Sequence, residues 1–232
     1  MSKNLPPPLI RRTEISDSPE VSPAINDNWQ ARRELAAALR RLNAAMLTTD
    51  VPTEQLRAMA ATIHVHAASI EENQRIYGRD AQELLADRQQ LDLLTEMSPV
   101  VGQSNAVSPA MHLWREGDRV HGRVTPNWSY EGPSGHVQGG VIAMIFDSLL
   151  GVGQHLVGNP GYTGTLTIRY HQRTPLNKTL HLVAHAKRID GRKKFMVGEL
   201  WADEICTASC EGVFIMGKAS SDASAKPDSA NA

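Results

Sequence analysis

The stretch from Gly135 to Gly151 constrains this chain more than any other. Between Gly139 and Leu150 every residue is glycine, alanine or a large apolar side chain, except Asp147 and Ser148. Apolar residues recur at helical spacing and go round the cylinder: Val141, Ile142, Met144, Ile145, Phe146, Leu149 and Leu150. The pattern predicts a helix from about Gly139 to Val157 that the rest of the fold must enclose almost completely. A carboxylate inside such a helix needs a partner or a task, because burying a charge unpaired is costly. The Gly139-Gly140 pair lets other groups approach the backbone closely, and a helix start offers N–H groups with no intrahelical acceptor. Unpaired amides at one end and a lone carboxylate within point to chemistry on a carbonyl.

Length sets the frame for that helix. A chain of 232 residues holds one compact domain with extensions, or two small domains. The formal net charge of -1 gives no global reason to expect nucleic-acid binding. No run reads as long and apolar enough to span a membrane, so no membrane insertion is expected. The N-terminal stretch from Met1 to Pro8 lacks the apolar core of a signal peptide, and a cytoplasmic protein is the expectation. Cys206 and Cys210, four apart in a predicted strand, make no disulfide framework and read as small packing residues.

Composition divides the chain into four parts. Residues 1–27 are rich in Pro, Ser and charge and are expected to be disordered, as is the low-complexity tail 219–232. Residues 28–96 read as a helical extension. Leu35, Leu39, Leu42 and Met46 share one stripe after Asp27 and Asn28 as candidate caps. Leu56, Met59, Ile63, Ala67 and Ile70 share another after Pro52-Thr53. Asp80 with Glu83 suggests a third, weaker helix. These helices are expected to pack on the main domain or on a partner subunit. His64 and His66, two apart on a helix, point in different directions, and no metal site is expected.

Residues 97–218 form the main domain. Strands are expected at 111–114 and 119–124 around Glu116-Gly117-Asp118, then the long helix. Further strands follow at 163–171, 179–189, 194–202 and 205–216, with turns at Asp190-Gly191 and Asp203-Glu204. One long helix flanked by an antiparallel meander satisfies the enclosure requirement if the sheet wraps the helix. The fold class is therefore α+β, a hotdog arrangement with an N-terminal helical extension.

The run from Gly132 through Gly140 to Asp147 resembles the hotdog acyl-CoA thioesterases, whose usual motif is His-Gly-Gly with an acid eight residues after the first Gly. It is most similar to members carrying an Asp there and a Thr at the next strand, in the manner of the phenylacetyl-CoA and 4-hydroxybenzoyl-CoA thioesterases. Asp147 matches the acid and Thr163 the threonine; Arg169-Tyr170, Pro175-Leu176 and the Asp190–Lys193 hairpin continue the likeness, which spans about residues 105–217. One departure stands out. Gln138 occupies the position of the family histidine, and His136 lies two positions too early to replace it. Some relatives carry an amide side chain seven residues before the first Gly, where this chain has Gly132.

The resemblance implies hydrolysis of an acyl-CoA thioester, with no cofactor and no metal. Asp147 would be general base or nucleophile, and the Gly139 or Gly140 amide would meet the developing oxyanion. Thr163 would hold the attacking water or fix the carboxylate. Gln138 can orient a group by hydrogen bonding but cannot exchange protons near neutrality. Eight helical residues separate Gly139 from Asp147 by about 12 Å. One carbonyl cannot easily contact both ends of one helix, so the spacing favours a homodimer with antiparallel helices and shared sites, as in the family; a dimer of dimers is left open. A basic rim for the coenzyme A phosphates is expected among Arg188, Arg192, Lys193 and Lys194 at the hairpin and Arg169 and Arg173 after the helix, with a solvated hairpin as the alternative, and His136 is a further substrate-binding candidate. Two rival readings remain: a hotdog acyl-thioester dehydratase, and a non-catalytic acyl-CoA-binding protein.

Overall fold

Period-two burial along four of its strand segments builds the sheet. In the strand Lys193–Ala202 the inward set is Lys194, Met196, Gly198, Leu200 and Ala202, and its neighbours alternate likewise. The structure, a computed structural model, describes residues 15–24, 26–73 and 96–217. Its strands are β1 (His112–Glu116), β2 (Arg119–Val124), β3 (Gly161–Tyr170), β4 (Leu180–Asp190), β5 (Lys193–Ala202) and β6 (Ile205–Met216). They form one antiparallel sheet in the order β1-β2-β4-β5-β6-β3. Tight turns join β1 to β2, β4 to β5 and β5 to β6, where the sequence places Gly117, Gly191 and Asp203. β1 and β3 are the edges.

The long helix is α3 (Gly139–Gly153), continued by a 3-10 turn over Gln154–Val157. Ile142, Ile145, Phe146, Leu149 and Leu150 are buried against Val120, Leu182, Ala184, Met196, Leu200 and Phe214 of the sheet. Burying each such side chain contributes about 1.5–3 kcal/mol, so this one face fixes the helix on the sheet. The 19-residue segment Gly139–Val157 is long and apolar enough to cross a membrane, contrary to the expectation from sequence. Its buried face explains the composition: it is the core helix of the sheet.

Enclosure is not complete, however. Gly140 and Asp147 are exposed, and Met144 and Gly151, on the same stripe, are only half-buried. The spacing 140, 144, 147, 151 follows one side of the helix. A single chain therefore leaves one helix face uncovered.

The extension comprises α1 (Asp27–Thr48) and α2 (Thr53–Glu71). The cap of α1 is Asn26, whose side chain accepts from the Trp29 N–H, one residue before the expected Asp27 or Asn28. Trp29 and Ala36 are buried, and Arg33 makes a forked ion pair with the buried Glu96, at 2.5–3.1 Å, which Ser104 also bonds. No residue of α2 is buried, and Leu56, Ile63 and Ile70 are exposed. Residues 16–19, expected within a disordered lead, hydrogen-bond to β1 and β2 through the Ser16, Ser18 and Pro19 carbonyls. The predicted helix at Asp80 and Glu83 and the tail from residue 219 lie outside the described residues.

Candidate functional site

Two independent anchors hold the start of α3. The Gln138 N–H donates to the Tyr130 carbonyl at 2.9 Å, and the Gln138 side-chain Oε1 accepts from the Val141 N–H at 2.9 Å. Gln138 is thus the N-cap of the helix. Close packing around it requires Gly132, and Gly140 leaves room for its capping amide. A Cβ on Gly132 would lie 2.7 Å from the Gln138 Cα, and a Cβ on Gly140 would lie 2.8 Å from the Gln138 Oε1. The Gly139 and Gly140 N–H groups point out of the first turn, where no intrahelical acceptor exists; none of the described residues accepts from them. They are free donors at the positive end of the helix dipole.

Asp147, two turns further on, accepts from the Thr163 hydroxyl at 2.9 Å. Of the two roles read for Thr163, fixing the carboxylate is the one that this hydrogen bond supports. Asp147 makes no ion pair with Arg169. Gln154 holds the return of the chain: its buried amide donates to the Gly161 carbonyl and accepts from the Gly161 N–H, at 2.9 and 2.7 Å. This clamp sets where β3 begins and so brings Thr163 to Asp147.

A second β3 residue reaches the helix. The Tyr170 hydroxyl donates to the Gly139 carbonyl at 2.9 Å. Thr163 and Tyr170 are seven apart and would face opposite sides of a regular strand. A bulge between Thr163 and Thr165 changes the parity, so both side chains meet α3. Sequence reasoning missed the contributions of Tyr170, Tyr130 and Gln154. The only signal for the bulge was Gly164 between two threonines.

The expected basic rim is scattered. Arg188 stacks over the Phe195 ring at 3.5 Å and pairs with Asp190 at 3.3 Å. Arg192 donates to the Met216 carbonyl, and Lys193 opens β5 with its side chain exposed. Register places this hairpin near the carboxylate end of α3, since Thr163 pairs with Phe214 and Phe214 with Lys194. Arg169 is exposed near the C-terminal end of β3, opposite Ser209. His136 turns back on its own loop, its Nδ1 2.6 Å from the Ser134 carbonyl.

Lys194 does not belong to the rim. It is fully buried, and its ammonium donates to the Gln154, Gly158 and Asn159 carbonyls at 2.7–3.0 Å. Burial lowers its pKa. It also lowers the pKa of the half-buried His155 in the same turn, with a smaller effect in the same direction from Lys194. Cys206 and Cys210 are free thiols, and burial pushes that of Cys210 up to about 11.

No family model and no curated protein matches the chain. Among solved structures, a thioesterase superfamily protein aligns over 88% of this chain and 96% of its own, at 31% identity and a TM-score of 0.71. A thioesterase superfamily protein from Shewanella loihica PV-4 aligns over 46% of this chain and 90% of its own, at 24% identity and TM-score 0.41. A Streptococcus mutans UA159 protein solved with acetyl CoA aligns over 47% and 90%, at 18% identity and TM-score 0.44. The alignment with the first of these runs through the helical extension as well as the sheet and its core helix, and this chain belongs to the hotdog-fold thioesterase superfamily.

Proposed function

We propose that the protein hydrolyses acyl-CoA thioesters, with Asp147 as the group that activates water or attacks the carbonyl. The observation that carries this reading is the uncovered stripe of α3: free Gly139 and Gly140 amides at one end, and Asp147 held by Thr163 at the other. As general base, Asp147 takes a proton from water while the oxygen attacks the carbonyl carbon. The oxyanion is met by a glycine N–H, and the C–S bond breaks to release the coenzyme A thiolate, which takes up a proton. As nucleophile, the carboxylate displaces the thiolate to form a mixed anhydride that water then opens.

The two ends lie about 12 Å apart along the axis, too far for one carbonyl. A second copy with its helix antiparallel would bring the glycine amides of one chain to Asp147 of the other. The edge position of β3 supports such pairing. It is a ten-residue strand with one unpaired side, and Tyr162 and Tyr170 are 71% and 53% exposed. Arg169 and Lys193 are then available for the anionic coenzyme.

Thiol release from a panel of acyl-CoAs of graded chain length tests the activity and sorts the substrate. Asp147→Asn is expected to lower kcat at least about a hundredfold with an unchanged melting temperature. Equal rates for the variant and the wild type would overturn the mechanism. Hydration of crotonyl-CoA without thiol release would establish the dehydratase reading instead.

A further inference from the structure

A cleft of about 500 Å³ lies away from the exposed stripe of α3, between α1 and the segment leading to Tyr130. Arg40, Arg41 and Ala44 line it from the helix; Thr125, Asn127 and Tyr130 line it from the sheet side. Its size is that of a small-molecule site rather than a packing defect. Its charge is the unusual part. Arg40 is half-buried, one of its nitrogens is tied to the Gln103 and Asn105 carbonyls at 3.3 and 2.9 Å, and no carboxylate among the described residues pairs with it. Arg41 beside it is exposed and, among the described residues, makes no hydrogen bond or ion pair. A guanidinium held partly out of water without a counter-charge is costly, and an anion entering the cleft would offset that cost. The Thr125 hydroxyl is shared with Thr179, the Asn127 side chain lines the cleft as a neutral polar group, and a planar guanidinium matches phosphate geometry.

We propose that this cleft binds a phosphate-bearing anion of nucleotide size. Its position suggests what the anion belongs to. Tyr130 lines the cleft, and its carbonyl accepts from the Gln138 N–H, so one residue separates the cleft from the amides of α3. The sheet offers less: Arg188 is engaged by Phe195 and Asp190, and Arg192 by Met216, which leaves Lys193 on the hairpin and Arg169 on β3 as single exposed cations, against two adjacent guanidinium groups in the cleft. The nucleotide end of acyl-CoA is therefore the favoured source, a step that rests on the proposed thioesterase reading; a free nucleotide is the other source of the same chemistry.

Direct binding and kinetics separate these. Calorimetric titration of the full chain with adenosine 3′,5′-bisphosphate and with pyrophosphate is expected to show saturable binding. Arg41→Ala should weaken it about tenfold, and Arg40→Gln with Arg41→Ala should weaken it further. Arg41 is exposed and makes no hydrogen bond or ion pair among the described residues, so the single variant keeps the test readable if the double variant unfolds. In thiol release, Arg41→Ala should raise KM for acyl-CoA about tenfold at constant kcat, and the rise should vanish for the matching S-acyl-N-acetylcysteamine, which lacks phosphates. Nucleotide binding that needs Arg41 without any change in KM would assign the cleft to a free nucleotide and uphold the anion site. Absence of nucleotide and pyrophosphate binding, or binding that Arg41→Ala leaves intact, would overturn it. Because titration needs no turnover, a protein that binds but does not hydrolyse would refute the thioesterase reading alone.

Discussion

At the scale of single residues, the candidate site separates a hydrogen-bonded pair, to which the proposed chemistry is assigned, from its supports. Asp147 and Thr163 form the pair, and removing the hydroxyl with Thr163→Val leaves the carboxylate without its protein donor. A hydrogen bond to a charged group contributes about 1.5–3 kcal/mol, so kcat should fall about ten- to a hundredfold. The melting temperature should change little, since both groups are exposed. Gln138 is a support. Its oxygen caps Val141, and Gln138→Ala should cost about 1 kcal/mol of stability in a denaturant titration. Gln138→Ser, a better cap, should restore the stability, and both variants should keep kcat within a few-fold. Collapse of kcat in the Ser variant would instead make Gln138 part of the chemistry. The sequence already placed Asp147, Thr163 and the glycine pair. What it did not show was that the glutamine in the histidine position is occupied in holding the helix start, because an N-cap is defined by backbone angles and not by residue type.

At the scale of elements, strand parity made much of the fold legible, and parity also marks where the reading failed. The strand bounds and turns of β1, β2, β4, β5 and β6 fell within two residues of expectation because alternation and turn residues are local signals. The same alternation puts Lys194 on the inward face with Met196 and Leu200, although the run Arg192-Lys193-Lys194 reads as a basic hairpin. The lysine is tolerated inside because the carbonyls that end the helical segment need donors and a cation suits the negative end of the dipole. The β3 bulge was hidden, since it depends on register with β6. The end of the helical segment also titrates. Burial holds the pKa of His155 and of His112 below the ordinary 6.5, and unfolding returns both to it. Over the interval below about pH 6.5 the unfolded chain binds more protons than the folded one, so stability falls as the pH drops through it. Thermal melts at pH 7.5 and 5.5 should show the lower midpoint at 5.5, and His155→Gln should reduce the difference. A pH-independent difference between that variant and the wild type would remove His155 from the account.

At the scale of the whole molecule, the sequence argued for an enclosed helix, and the single chain encloses only one side of it. The apolar pattern is still consistent, because enclosure by a second copy leaves the same mark on a sequence as enclosure by the chain's own sheet. Met144 and Gly151, half-buried on the same stripe as exposed Gly140 and Asp147, are where the two explanations diverge. If the sites are shared, defects at opposite ends of α3 should complement each other. Asp147→Asn removes the carboxylate, and Gly140→Val places a branched side chain over the free amides and against the Gln138 oxygen. Each variant alone should be inactive as a dimer, since both of its sites carry the same lesion. In a dimer mixed from the two, one site inherits both lesions and the other inherits neither. Random pairing makes about half of the dimers mixed, each with one intact site, so co-refolding equal amounts should restore about a quarter of the wild-type rate. The recovery should follow the appearance of mixed dimers in native mass spectrometry and should be absent when the two folded proteins are combined without subunit exchange. If each helix instead carried a complete site, every subunit of the mixture would still hold one lesion, and no amount of exchange would restore turnover.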